Sequence, residues 1–439
     1  VAEPLASDFK LAPYWWEAAE PGFRDSVLPP SSEVVVVGGG YAGLSAALTF
    51  RRLGHEVTVL DAERIGWGAS SRNGGMVSGG LKVPLDKLAG HVGKEKAEDM
   101  AAAASAAFPF IEELIEREKI ACDYVRCGAF LCAWTPAHYR ALAKKAETLA
   151  ALTGASVRLV PRERQHEEFV TDHYHGGLVK EATGSLHPGK YARGLAAAAE
   201  RAGALLVDRV RVQAIDQEGS GFKVRTDKGQ IRASGVIVTV NGYAKPATGS
   251  GALPWLTRRL VPVTSYIIAT EPLGRERVRS IFPKLRTVSD TKRVLNYFRP
   301  SPDGQRILWG GRASFRLGTT PREAAPVLHR TMTEALPVLK NVRLTHAWSG
   351  NVTFTLDGLP HVGVHDGIHY AAGCQGSGVA MMSWLGHQAA LLASKAGNAP
   401  FALNRERFPT LPFYAGRPWF LPVVGEWFRL RDRLDRLLA

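Results

Sequence analysis

One stretch constrains this chain more than any other: VVVVGGGYAGLSAAL, residues 34–48. Four valines predict a strand buried on both faces, and the small residues that follow predict a helix packed closely on it. Gly38, Gly40 and Gly43 join the two in GxGxxG spacing. The first glycine suits a tight turn, the second lets a pyrophosphate approach the backbone, and the third lets helix and strand lie close. The helix start at Tyr41 and Ala42 then points its free N–H groups at the phosphates. A helix over 41–53 and a strand over 56–60 (EVTVL) complete a βαβ unit ending at Asp61 and Ala62, the acid lying 23 residues after Gly38. A carboxylate there hydrogen-bonds a ribose diol and disfavours a 2′-phosphate, so FAD or NAD is expected over NADP. The competing reading, a glycine turn in an unrelated sheet, does not explain why strand, glycines, helix and acid occur together.

Two later segments favour FAD. Residues 66–76 read GWGASSRNGGM, a loop able to run along a diphosphate towards a flavin ring. Residues 373–378 read GCQGSG, between the strand IHYAA and the helix VAMMSWLGHQAALLA. A second helix N-terminus would place partial positive charge beside the pyrimidine end of a reduced flavin, a feature NAD does not need.

At 439 residues the chain exceeds one typical domain. Helices are expected at 94–119 (kinked by Pro109), 136–151, 189–202, 321–340 and 376–395. Extended segments are expected at 259–270 and 343–355, with a hairpin of 294–299 and 305–311 around SPDG. The alternation predicts an α/β chain: a Rossmann-like FAD-binding domain interleaved with an antiparallel-sheet α+β substrate domain. The expected division is an N-terminal arm at 1–31, the FAD-binding domain at 32–90, 186–245 and 345–405, and the substrate domain at 91–185 and 246–344. Residues 406–439 are expected to pack on the FAD-binding domain. Cys122, Cys127, Cys132 and Cys374 have neither CxxC nor zinc-knuckle spacing and read as free thiols in a reducing compartment. No run of apolar residues reaches membrane-span length and no signal peptide is visible, so a cytoplasmic setting is expected. The formal charge of +14 is scattered, not blocked. Two readings compete, a basic soluble surface and a positive field that draws in an anionic substrate, nucleic acid or membrane, and the lack of any run of like charges favours the first.

The pieces YWW (14–16), VVVVGGGYAGLSAAL, GWGASSRNGG, SLHPGKYARGLA (185–196), VTVNGY (238–243), SYIIATEPL (265–273), WSGNVTFTLDGLPHVG (348–363), AAGCQGSGVAMMSWLG (371–386) and FYAGRPWFLP (413–422) span the chain. Together they resemble the D-amino-acid-oxidase-like family of FAD-dependent oxidoreductases. That group includes glycine and sarcosine oxidases and γ-glutamylputrescine oxidoreductase-like amine oxidisers. The resemblance implies that Gly38, Gly40, Gly43 and Asp61 hold the ADP half, and that Val210 meets the adenine through its backbone. Ser70, Ser71, Arg72, Asn73, Gly74, Gly75 and Met76 would line the diphosphate and flavin. Asn241 and Gly242 would close the strand below. Gly350, Gly373, Gln375, Gly376, Ser377, Gly378 and Val379 would surround the ring. Gly350 stands where some sarcosine oxidases carry a flavin-linked cysteine, so non-covalent FAD is expected.

The implied reaction is oxidation of the C–N bond of a secondary amine by hydride transfer to flavin, followed by imine hydrolysis, with O2 or another acceptor taking the electrons. Iminodiacetate-, sarcosine- and γ-glutamyl-amine-like substrates stay open. A polyamine-directed enzyme of the same chemistry and a flavoprotein acting on a modified RNA base are the alternatives. Candidate substrate contacts are Tyr266, Tyr297, Arg299, Arg312 and Gln375, with Trp309 and His346 as further pocket liners. Arginine suits a carboxylate because its planar fork matches two oxygens. Arg299 reads equally as a surface pair beside Pro300, and the tyrosines as ordinary strand residues. No metal site is expected; the histidines HYH at 173–175 do not form one. The basic amphipathic tail EWFRLRDRLDRLL (426–438) has two readings. It packs on its own domain with Trp427, Leu434 and Leu437 inward, or it makes weak contact with a membrane surface.

Overall fold

A computed structural model describes residues 4–153, 156–244, 254–396, 401–404 and 407–438. The domain boundaries expected at 245/246 and 405/406, and the first three residues of the arm, lie outside the described residues. The four valines form the strand Ser31–Val37, with Val35 and Val36 fully buried. It runs parallel between Val57–Leu60 and Gly229–Val238. Leu205–Val207 adds beyond the former and Ile368–Ala372 beyond the latter, both parallel. Immediately past the C-terminal ends of these five strands come Gly38, Asp61, Asp208, Thr239 and Gly373. This is the edge at which open parallel sheets bind ligands.

The helices that follow the two glycine clusters, Tyr41–Arg52 and Gly378–Ala393, cross in close contact. A Cβ on Gly386 would lie 2.0 Å from the Ala42 carbonyl oxygen. Only a glycine there lets the two backbones touch, and the crossing brings segments more than 300 residues apart to one edge of the sheet.

The expected helix at 94–119 divides into Lys94–Ser105 and Ala107–Arg117. Pro109 has no N–H for the Ser105 carbonyl, so the break falls at Ala106, upstream of the proline itself. Met100, Ala104, Phe108, Ile111 and Leu114 share one core with Leu44 and Leu385, and Trp384 Nε1 donates to the Ala103 carbonyl at 2.9 Å. These helices therefore belong to the core of the dinucleotide-binding unit, on which their alanine-rich faces fit closely, and not to the substrate domain where the sequence division put them.

Among the described residues the second sheet has nine strands. Its longest pairing joins Leu260–Thr270 to Leu344–Thr355, antiparallel along almost their whole lengths. Residues 345–355 thus run in this sheet, not in the FAD-binding one as drawn from sequence. The hairpin forms from Asn296–Pro300 and Ile307–Gly311. The helix expected at 321–340 begins at a Thr320–Glu323 capping box and stops at Ala335, two residues before Pro337. One face of the sheet, under that helix, buries Tyr266, Ile268, Phe298, Trp309 and Ala347. The opposite face presents Ile267, Leu308 and Trp348 to Trp15.

The C-terminal segment is divided. Phe408 packs with Trp255, Tyr370 and His361 at the dinucleotide sheet. The helix Leu421–Leu437 lies instead on the nine-stranded sheet. Asp432 accepts from the Arg293 and Val294 N–H groups at 3.0 Å each, Arg436 donates to the Trp134 and His173 carbonyls, and Gly425 seats against Phe315. The expectation that this helix packs on the FAD-binding domain is corrected by these contacts.

Candidate active site

The glycine–serine loop at 66–76 is held by indoles from elsewhere in the chain. Trp16 Nε1 donates to Ser71 Oγ at 3.0 Å, Trp348 Nε1 to the Arg72 carbonyl at 2.7 Å and Trp15 Nε1 to the Asn73 carbonyl at 2.8 Å. Asn73 closes the turn, accepting from Gly75 N–H at 2.8 Å and donating to the Ala69 and Ser70 carbonyls. Arg72 is sandwiched between the Trp16 and Trp67 rings, at 4.6 and 4.1 Å from their centroids. Burial lowers its pKa. Met76 begins a short strand paired with Ser185. Trp348→Phe keeps an aromatic ring but removes the indole N–H, leaving the part-buried Arg72 carbonyl without its donor. We expect a stability loss of about 1–3 kcal/mol, read by thermal unfolding, together with weaker FAD retention on dilution.

The residues present fit a dinucleotide. Gly38 has φ +106°, and a Cβ on Gly43 would lie 1.9 Å from the Gly38 carbonyl oxygen. The N-cap residue of the helix Tyr41–Arg52 is Gly40, which has no side chain to cap it. Ser70 Oγ accepts from Tyr41 N–H at 3.0 Å, and no described protein acceptor meets the Ala42 or Gly43 N–H. Those donors are the ones a diphosphate would take. At the second helix, beginning at Gly378, the N-cap Ser377 makes no side-chain cap; its Oγ and, on the facing strand, Thr353 Oγ1 are buried with no partner among the described residues. Asn241, at φ +45°, pins the second glycine turn by accepting from Gly373 N–H at 3.0 Å. Gly242 packs against Thr353, whose Oγ1 would lie 2.5 Å from an added Cβ. A Cβ on Gly350 would press on Arg72 Cβ at 3.3 Å, and one on Gly376 would meet only Val352, in ordinary contact at 3.9 Å. Val379 is buried at the start of its helix.

Two cofactor candidates sit differently from their sequence reading. Val210 lies three residues beyond its strand, and its N–H donates to the Asp61 carbonyl at 2.8 Å; only its carbonyl remains for an adenine. Asp61 accepts from Gly39 N–H at 2.7 Å and Glu63 N–H at 2.9 Å, and burial pushes its pKa up to about 6. A ribose diol placed here would donate to the carboxylate form. FAD affinity is therefore expected to be level above pH 6 and to weaken as pH falls through about 6, measured by fluorescence titration of apoprotein. Asp61→Asn should remove that slope and weaken binding at neutral pH.

Strand alternation separates the substrate candidates. Tyr266 points under the helix Pro321–Ala335, its hydroxyl donating to the Thr319 carbonyl at 3.0 Å, and Trp309 stacks on Phe298 in the same core. Both are core residues. His346 is buried beside Glu17 on the arm side of the sheet. Gln375, at φ +51°, turns its amide to Thr355 Oγ1 (2.6 Å) and the Leu359 carbonyl (3.2 Å), so it staples the turn and does not project into the groove. Arg299 is a clamp: Nη1 donates to the Gly75 and Leu186 carbonyls at 3.0 and 2.8 Å and Nε to the Pro300 carbonyl at 3.0 Å. Burial lowers its pKa to about 10. With these donors engaged it is neither a surface pair nor a free carboxylate receptor.

Tyr297 and Arg312 remain. Tyr297 lies flat over Gly310, a space that exists because a Cβ there would come within 2.3 Å of the ring, and its edge meets Gly74 of the loop at 3.1 Å from a Cβ position. Its hydroxyl is 2.9 Å from Ser265 Oγ, and burial raises its pKa to about 12, so it stays protonated. The Arg312 guanidinium lies over Phe354, 4.6 Å from the ring centroid, with Phe315 at 5.8 Å. Among the described residues it has no hydrogen-bond or ion-pair partner, and burial lowers its pKa. Phe354 stands two residues from Val352, which borders Gly376. The cluster of Ser265, Tyr297, Arg312, Val352 and Phe354 therefore lies between the two glycine turns. Ser265, Phe354 and the three indole clamps were not singled out as site residues from sequence. The signal available was the alternation of 260–270 against 344–355, which puts Ser265 and Tyr266 on opposite faces.

A parallel sheet edge with two free helix starts, a buried carboxylate at the end of the second strand and a pinned glycine loop is the kind of site that suits a flavin dinucleotide. Residues 33–392 match the family described as FAD dependent oxidoreductase (DAO), and the chain belongs to it. It is 32% identical over 406 residues to the γ-glutamylputrescine oxidoreductase of Escherichia coli (strain K12), covering 92% of this chain and 93% of that protein. It is 31% identical over 428 residues to the probable oxidoreductase OrdL of Rhizobium meliloti (strain 1021), covering 95% and 97%. The glycine oxidase structure from Geobacillus kaustophilus superposes with a TM-score of 0.70 at 23% identity, covering 86% of this chain and all of that one. FAD is thus the cofactor and the mixed α/β fold is that of the family. The four cysteines are free thiols, and among the described residues no helix is long and apolar enough to cross a membrane.

Proposed function

We propose that this enzyme oxidises the C–N bond of a secondary amine that carries a carboxylate, with Arg312 receiving the carboxylate and Tyr297, set by Ser265, flanking the amine. FAD supplies the acceptor for the two electrons. The observation that supports this reading is the unpartnered Arg312 guanidinium, half-buried between aromatic rings beside the glycine turns. A cation in that position is stabilised when a carboxylate completes its hydrogen bonds. The protonated Tyr297 hydroxyl offers a donor or acceptor and no charge, which suits an amine that must be neutral at nitrogen. The indole-pinned loop fixes one wall, so that alignment, not a side-chain base, is the protein's main contribution.

The relative named for γ-glutamylputrescine agrees with an amine that also bears a carboxylate. A polyamine would favour acids around its cationic tail, and the residues facing the Arg312 guanidinium are Tyr297, Phe315 and Phe354, with Ser265 on the Tyr297 hydroxyl. The test is a panel of N-alkyl glycines, iminodicarboxylates, γ-glutamyl amines and polyamines mixed anaerobically with the yellow protein. Flavin bleaching by carboxylated members is expected; bleaching by polyamines alone would overturn the reading. Repeating the productive reaction in air, with peroxide measured, distinguishes O2 from another acceptor.

A further inference from the structure

The helix Leu421–Leu437 has two apolar faces. One, formed by Leu421, Gly425 and Phe428 with Asp432, is its seat on the nine-stranded sheet. The other points to solvent. Val423, Trp427, Leu430, Leu434 and Leu437 recur at spacings of four, three, four and three, and are 75, 55, 48, 39 and 81% exposed. At 3.6 residues per turn this stripe lies opposite the seat. Phe413 and Trp419, 96 and 65% exposed, extend the apolar surface ahead of the helix. A patch of this length on a protein surface marks an interaction site.

The charges around the stripe choose the occupant. Arg431 and Arg433, both exposed, flank it on either side, and neither has an ion-pair partner among the described residues. The nearby acids are engaged: Glu426 with Arg429, and Asp432 and Asp435 with Arg293 on the seated side. A second copy of the chain would bring the same unpaired arginines against these. An anionic bilayer meets them with phosphates, while tryptophan and leucine side chains enter the headgroup boundary. We infer that this helix docks the enzyme on an anionic membrane surface, lying in the interface plane without spanning it. The chain's net charge of +14 adds long-range attraction of the same sign. This inference is independent of which amine is oxidised.

The test is flotation of the FAD-loaded full chain with vesicles of phosphatidylcholine alone and of phosphatidylcholine with phosphatidylglycerol, at low and high salt. Flotation with the anionic vesicles, weakened by salt, is expected. Trp427→Ser with Leu434→Ser should lower the partition coefficient by about tenfold or more, with FAD content and turnover in solution unchanged. Arg431→Glu with Arg433→Glu provides a second variant that leaves the apolar stripe intact and should lose the preference for anionic lipid. Failure of the wild type to float would overturn the inference, as would flotation that both variants retain. So would light scattering that shows a dimer dissolved by the Trp427→Ser, Leu434→Ser change, which would make the stripe an interface between copies.

Discussion

Arg312→Met is expected to raise KM for a carboxylated amine by about two orders of magnitude while the protein stays yellow. A charge-assisted hydrogen bond contributes about 1.5–3 kcal/mol, and each 1.4 kcal/mol is a factor of about ten, so losing the paired bonds of a guanidinium fork gives an effect of this size. FAD should be retained, because Arg312 touches Phe354 and Phe315 and makes no hydrogen bond to either glycine turn. Arg312→Lys should recover part of the affinity, since a point charge replaces a fork. Arg299→Ala gives the informative contrast. Its guanidinium holds the Gly75 and Leu186 carbonyls, and its removal should lower thermal stability and loosen FAD before it alters substrate affinity. Steady-state kinetics beside flavin-to-protein absorbance ratios separate the two arginines. A normal KM in Arg312→Met with a normal flavin ratio would remove Arg312 from the substrate site.

Gly43→Ala is expected to yield colourless, destabilised protein. The added Cβ would stand 1.9 Å from the Gly38 carbonyl oxygen and 2.9 Å from Thr239 Oγ1. The nearest atom is backbone in the turn that would hold the pyrophosphate, so no rotamer change relieves the clash; the helix has to lift off the strand. Overpacking of this kind costs about 3 kcal/mol or more, and the lifted helix start no longer aims its N–H groups at the phosphates. Gly22→Ala is the control. Nothing lies within 4 Å of its Cβ position, and it should change neither stability nor flavin content. Thermal unfolding and flavin absorbance read both variants.

The dinucleotide half was legible because its chemistry is local. Gly38, Gly40, Gly43 and Asp61 lie along one βαβ unit, and spacing alone brings them to one edge of the sheet. The substrate half depends on which face of a sheet is covered, and a shift of one residue reverses that. Tyr266 and Ser265 are neighbours in sequence on opposite sides of the strand, and nothing local tells which side lies under the helix Pro321–Ala335. Arg299 reads like Arg312 until the Gly75 carbonyl, more than 200 residues away, is seen to occupy it. Gln375 sits in the right turn, but its left-handed backbone aims the amide at Thr355. The C-terminal helix carries apolar residues on two faces, so pattern alone favoured Trp427, Leu434 and Leu437 as the seat. All three are exposed, and the seat is formed around Gly425, which Phe315 needs empty, and Asp432, which Arg293 and Val294 hold.

The substrate carboxylate is tested most directly by a matched pair: an N-alkyl glycine and its neutral amide, each mixed anaerobically with the purified flavoprotein under stopped flow. The two share the oxidisable C–N bond and differ in the one group assigned to Arg312. Flavin reduction at limiting concentration should be about a hundredfold faster with the acid, and the gap should close in Arg312→Met. Equal rates for acid and amide in the wild-type enzyme would contradict the account.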